Sequence, residues 1–141
     1  MDSYFSLDED IPRCQKVFPL IRIVLGLKSN ELANLLDISR SYVTELESGY
    51  WPMSVVMALA FYTAFNGVAR KTRNVVAMSM LDLLIEPSHK VSNEDIDICI
   101  ERCTNARLEV PKRYGIKKVQ EKICTEYERW MKEWTMKQFS M

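Results

Sequence analysis

Apolar side chains recur at helical spacings along almost the whole chain, and short polar groups punctuate them. In "DEDIPRCQKVFPLIRIVLG" acidic residues precede Pro12, which suits a first helical position because an N–H there would have no partner. Pro19 cannot donate a backbone hydrogen bond either, so the pattern predicts a break or kink near Phe18. The segment from Leu20 to Leu25 then ends at Gly26, a good C-cap. "SNELANLL" predicts a helix over 29–36, stopped at Asp37, which tolerates the left-handed conformation better than most residues. Ser39 is a good N-cap for a helix ending near Gly49, and Pro52 blocks its simple continuation. Ser54 caps "VVMALAFYTAF", closed by Asn66-Gly67.

A fifth helix is predicted over roughly 72–85. Val75, Val76, Met78, Met80, Leu81, Leu83, Leu84 and Ile85 make it apolar around much of its circumference, so it should be covered on more than one side. "EPSHKVSN" is the clear linker and passes into Ser92-Asn93-Glu94-Asp95, a start resembling a capping box with a shortened acid. The next helix carries Ile96, Cys99 or Ile100, Cys103 and Ala106 on one face. After "EVPKRYG" a long segment over about 116–139 places Ile116, Val119, Ile123, Tyr127, Trp130, Met131 and Trp134 three or four apart. Such a stripe serves either as a seam between subunits or as a face packed on the fifth helix.

The expected class is therefore all-α. Only four Gly and five Pro occur in 141 residues, and 48% of the chain is hydrophobic, ample for a core. The 19 basic and 19 acidic side chains balance, so bulk charge provides no cationic footprint, and any nucleic-acid role must rest on local placement. Asp2, Asp8, Glu9 and Asp10 make the beginning acidic, while Arg70, Lys71 and Arg73, and later Lys112, Arg113, Lys117, Lys118 and Lys122, form basic clusters. Solvated helix faces account for such runs.

The acidic start lacks the basic-then-apolar order of a secretory signal, and apolar runs such as "VVMALAF" are too short to span a bilayer. A cytoplasmic protein is expected, with Cys14, Cys99, Cys103 and Cys124 reduced. Cys99 and Cys103, one turn apart on a helix face, could make three thiolate ligands with Cys124, and His89 is the only histidine available as a fourth, but zinc-site spacing is absent, and neither metal nor cofactor is expected. No Gly-rich phosphate loop, Ser–His–Asp set or HExxH spacing can be assembled, which argues against an enzyme.

One stretch carries a more specific reading. "LIRIVLGLKSNELANLLDISRSYVTELESG" resembles the helix-turn-helix of the Cro/lambda-repressor-like (XRE) family, and the likeness covers about residues 14–66. Two helices joined by a short turn hold a steep angle only if their crossing is small and their inner faces interlock. Ala33 supplies the small residue, and Leu32, Leu36, Ile38, Val43 and Leu46 the packing positions. Asp37 stands where the family usually has Gly. The resemblance implies a structural ion pair between Arg22 and Glu47, joining the first and third helices. It also implies that the start of the second motif helix enters the major groove.

Projected from Ser39, the side chains free to face DNA are Arg40, Ser41, Thr44 and Glu45. Arg40 suits a guanine edge, Ser41 and Thr44 several bases, and Glu45 a cytosine amino group, at the cost of repelling phosphate. Lys28, Ser29 and Asn30 are placed to hold phosphate, with Ser29 taking the cap position that Lys28 cannot fill. The loop after Gly49, commonly basic in the family, is aromatic here. Tyr50 is a further candidate backbone contact, and Trp51 either contacts sugar or a protein partner or, with Pro52, pins the fourth helix to the core.

Two regions are expected: a helix-turn-helix domain with its acidic arm over 1–85, and a helical region for dimerisation or partner binding over 92–141. Ile123, Tyr127, Trp130 and Trp134 are the candidate contact residues of the second. The leading expectation is a sequence-specific transcriptional regulator, a repressor, bound to double-stranded DNA as a homodimer on a two-fold operator. The alternative is a phage or mobile-element inhibitor or adaptor, directed at a host defence nuclease or a toxin. It would bind another protein through its C-terminal region and autoregulate through its helix-turn-helix.

Overall fold

The computed structural model describes residues 10–85 and 91–139. The acidic residues Asp2, Asp8 and Glu9, and His89 in the linker, lie outside the described residues. Among those described, all regular structure is helical. The order is α1 (Asp10–Val24), α2 (Ser29–Leu36), α3 (Arg40–Ser48), α4 (Val55–Thr72), α5 (Val75–Ile85) and α6 (Asn93–Glu109), then a 3-10 turn at Lys112–Tyr114 and α7 (Gly115–Phe139). No helix among them is long and apolar enough to cross a membrane.

Serine caps set three of the starts. Ser39, Ser54 and Ser92 accept from the backbone N–H groups of Tyr42, Met57 and Asp95, each at 3.1 Å, so one orphan donor of each first turn is satisfied. Asp37 ends α2 at φ 55°, as its short polar side chain permits, and Gly49 ends α3 at φ 81°. At α2 the cap position is held by Lys28, with Ser29 inside the helix. Lysine has no acceptor, so only the return half of a capping box forms, with Glu31 Oε1 accepting from Lys28 N at 2.8 Å.

Two expected breaks in helical structure are absent. α1 runs unbroken through Pro19, because Phe18, Leu20 and Ile21 beside it are all buried. Their burial, worth roughly 1.5–3 kcal/mol per side chain, outweighs the proline penalty of roughly 3 kcal/mol. α4 likewise passes through Asn66-Gly67 to Thr72, since Phe65 and Ala69 on either side are fully buried and keep the helix on the core. A glycine inside a helix costs only roughly 1 kcal/mol. The turn into α5 is made instead by Arg73, at φ 55°, and Asn74. Asn74 accepts from Ala77 N at 3.0 Å and donates to the Val24 carbonyl at 3.1 Å, tying the end of α1 to the start of α5.

One hydrophobic core runs through both halves of the chain. Phe18, Phe61 and Phe65 meet with ring centroids 5.5–6.0 Å apart where α1 crosses α4. Met80, Leu81 and Leu84 of α5, Ile96, Cys99 and Cys103 of α6, and Ile123, Tyr127 and Trp130 of α7 belong to the same buried cluster. The linker separates two regions of sequence without dividing the core.

Of the two expectations for the C-terminal stripe, burial within the chain is the one seen, chiefly against helices other than the fifth. Ile123, Tyr127 and Trp130 are at most 4% exposed within a single chain, and Trp134 is half-buried with its ring stacked on Trp130. They are not a surface waiting for a partner. α7 packs chiefly against α6 and α1, and reaches α5 through a 2.7 Å hydrogen bond between Ser79 and Tyr127. An amphipathic stripe specifies that a face is buried without saying against what.

Candidate nucleic-acid interface

α2 and α3 are joined by Asp37, Ile38 and Ser39. Leu32 and Ala33 of α2 and Val43 and Leu46 of α3 are buried between the pair and the rest of the core. Their burial leaves the opposite side of α3 facing solvent, and Arg40, Ser41 and Thr44 are exposed there. Thr44 Oγ1 donates to the Arg40 carbonyl at 3.1 Å, one turn back along the helix. Arg40 forms no ion pair among the described residues, so its fork of donors is available.

The helix is anchored at its far end. Arg22 Nε lies 2.6 Å from Glu47 Oε2 and Nη2 lies 3.1 Å from Oε1, a bidentate pair whose side chains are 12% and 14% exposed. The same guanidinium donates through Nη1 to the Leu27 carbonyl at 2.8 Å, so one side chain of α1 fixes both the end of α3 and the turn before α2. Gln15 adds a second clamp. Its Nε2 donates to the carbonyls of Leu46 and Trp51, at 2.8 and 2.7 Å.

Glu45 is half-buried and engaged. Trp51 Nε1 donates to its Oε1 at 3.2 Å, and the Tyr50 ring stands edge-to-face on Trp51 with centroids 5.0 Å apart. Trp51 is 47% exposed and Tyr50 68% exposed, so the indole does not pin α4 to the core. Met53, 7% exposed, fills that position instead. The Trp51 ring is held outward by the polar end of Glu45, an arrangement that suits an amphipathic side chain.

Lys28, Ser29 and Asn30 occupy the first turn of α2, where Lys28 and Asn30 are exposed and Ser29 is half-buried. They form a group separate from Arg40, Ser41 and Thr44, and no hydrogen bond or ion pair joins the two groups. The sequence pattern had no means of finding Gln15, whose partners lie 31 and 36 residues away. Asn74 did have a signal, an Asn directly before the apolar run Val75-Val76.

Cys99 and Cys124 are poor candidates for a competing nucleophilic centre. The Cys99 thiol is pushed far above its ordinary range by its hydrogen bond with Cys103 and by burial, and burial, then Glu128 and Cys103, raises Cys124. Raised thiols are neutral and poor nucleophiles. Among the described residues no group of three or more His, Cys, Asp or Glu could hold a metal ion. Comparison of the chain with protein-family models, with curated proteins and with solved structures finds no match.

Proposed function

We propose that residues 14–66 form a helix-turn-helix of the lambda-repressor-like kind and that the protein is a sequence-specific DNA-binding transcriptional regulator. The observation that carries this reading is the exposed face of α3. Arg40, Ser41 and Thr44 stand on a helix whose opposite side is buried and whose end is held by Arg22 and Gln15. A reading helix needs this combination of free donors and fixed orientation, because base recognition depends on placing a few side chains within hydrogen-bond distance of base edges. Lys28 and Asn30 supply backbone contacts, and Glu45, held by Trp51, reads a cytosine amino group. With a formal net charge of zero, one subunit gains little from counterion release. Binding as a homodimer to half-sites about ten base pairs apart compensates. The dimer contact uses side chains other than the buried α7 stripe. The protein acts without an enzymatic step.

Selection of bound fragments from a random double-stranded DNA pool tests the reading. A consensus with two-fold symmetry is expected; recovery of unrelated sequences, or of none, overturns it.

A second reading is favoured by the exposed Tyr50–Trp51 pair, since aromatic side chains are enriched where proteins meet. In that reading the turn after α3 docks another protein, and DNA binding serves autoregulation. Retention of protein partners alone, with Arg40→Ala changing nothing, is the result that selects it.

A further inference from the structure

A groove opens on the side of the molecule where α1 meets the connection between α6 and α7. Its walls are Ile23, Leu108, Val110, Ile116 and Val119, and its polar lining consists of Arg22, Arg107 and Lys112. About 370 Å³ is free within it, inside the range of roughly 300–1,000 Å³ that small-molecule sites occupy. Among the described residues no carboxylate lines it. Neither Arg107 nor Lys112 has an ion-pair partner among the described residues. Leu108 remains 70% exposed at its rim. Three cationic groups around an apolar floor match one kind of small molecule: an anionic head on a hydrocarbon body.

We propose that this groove binds a small amphipathic carboxylate, with its head between Arg107 and Lys112 and its apolar body along Ile23, Val110, Ile116 and Val119. The third cation gives the site a consequence. Arg22 lines the groove and also holds Glu47 and the Leu27 carbonyl. Three of its five N–H donors are used there, so a carboxylate bound to the remaining two competes with Glu47 for the charge of one guanidinium, and occupancy weakens the hold on the end of α3. The effect on DNA affinity rests on the proposed DNA-reading role; the binding and the competition do not.

Titration of the full chain with octanoate, followed by NMR, tests both parts. Saturable shifts confined to the groove residues are expected, with the Arg22 Nε–H and Trp51 indole signals moving in step. Octanol and inorganic phosphate, each lacking one half of the chemistry, should bind at least about tenfold more weakly. Arg107→Gln with Lys112→Gln should weaken octanoate by about tenfold or more, since the loss of even one of the two charge-assisted hydrogen bonds has that effect. All three side chains altered or flanking at the rim are exposed, and an unchanged circular-dichroism spectrum checks the fold. Absence of saturable octanoate binding, or octanol binding equally well, overturns the site. Groove signals that saturate while Arg22 and Trp51 stay fixed overturn the competition. Failure to bind any DNA would instead remove the proposed function and leave the groove standing.

Discussion

The indole N–H of Trp51 donates to Glu45 Oε1 at 3.2 Å, so the one acidic side chain on the candidate reading surface is held from behind by the turn that follows its own helix. The other carboxylate oxygen stays free to accept. Trp51→Phe keeps the ring and deletes the donor. Because the bond is exposed, stability should fall by only about 0.5–1 kcal/mol. Discrimination at the base facing Glu45 should relax while the other positions keep theirs. Thermal unfolding and binding to base-substituted versions of a selected site measure the two effects. An unchanged preference at every position would show that the tether has no part in recognition.

Arg22 and Glu47 should prove unequal partners. Glu47→Ala leaves Arg22 with the Leu27 carbonyl and access to solvent through the groove, and should cost about 2 kcal/mol. Arg22→Ala strands both Glu47 and that carbonyl, and should cost about 3 kcal/mol or more. Arg22→Ala with Glu47→Ala should cost less than the sum, since no unpaired charge is left behind. Denaturant unfolding of the four proteins gives the cycle; additive losses would mean that the pair contributes nothing jointly.

Base reading and phosphate holding predict different losses. Arg40→Ala should cost about 1–3 kcal/mol at one base position and relax specificity there. Lys28→Ala should weaken all sequences alike and lower the salt slope by about one. Affinities for a panel of sites at several salt concentrations separate the two, and a uniform loss from Arg40→Ala would contradict its assigned role.

Local signals were legible in the sequence and long-range ones were not. Ser39, Ser54 and Ser92 cap the helices they precede, and Asp37 turns left-handed, because caps and turns are decided within four residues. Pro19 and Gly67 misled for the complementary reason. Each carries a local penalty set against flanking side chains that are deeply buried, and burial is decided by the whole fold. On the candidate interface, the outward set of Arg40, Ser41 and Thr44 followed from helical periodicity. The engagement of Glu45 and the Gln15 clamp did not, because each depends on where a distant carbonyl or indole comes to rest.

The burial of the α7 stripe has a consequence for association. If Trp130 served a subunit seam, its loss would alter the oligomer and make unfolding depend on protein concentration. At 4% exposure within one chain it should instead behave as a core side chain. Trp130→Ala should cost about 3–5 kcal/mol, with an unfolding midpoint independent of concentration and sedimentation unchanged at temperatures where the variant is folded. A shift from dimer to monomer with the fold intact would return the stripe to the seam.

Tyr127 links this core to pH. Burial holds its hydroxyl protonated well above the ordinary tyrosine range, against the smaller opposing effect of its hydrogen bond with Ser79. The unfolded chain releases that proton near pH 10, while the folded chain keeps it to higher pH. Above that point the unfolded state binds fewer protons, so stability falls as pH rises; below it the group contributes no slope. Tyr127→Phe removes the ionisable group and the bond to Ser79 together. The variant should therefore be less stable by about 1 kcal/mol near neutrality, and its stability should decline less steeply than wild type between pH 10 and 11. Chemical denaturation of both proteins across that range gives the comparison, and parallel curves would mean that the hydroxyl ionises as freely in the folded protein as in the unfolded one.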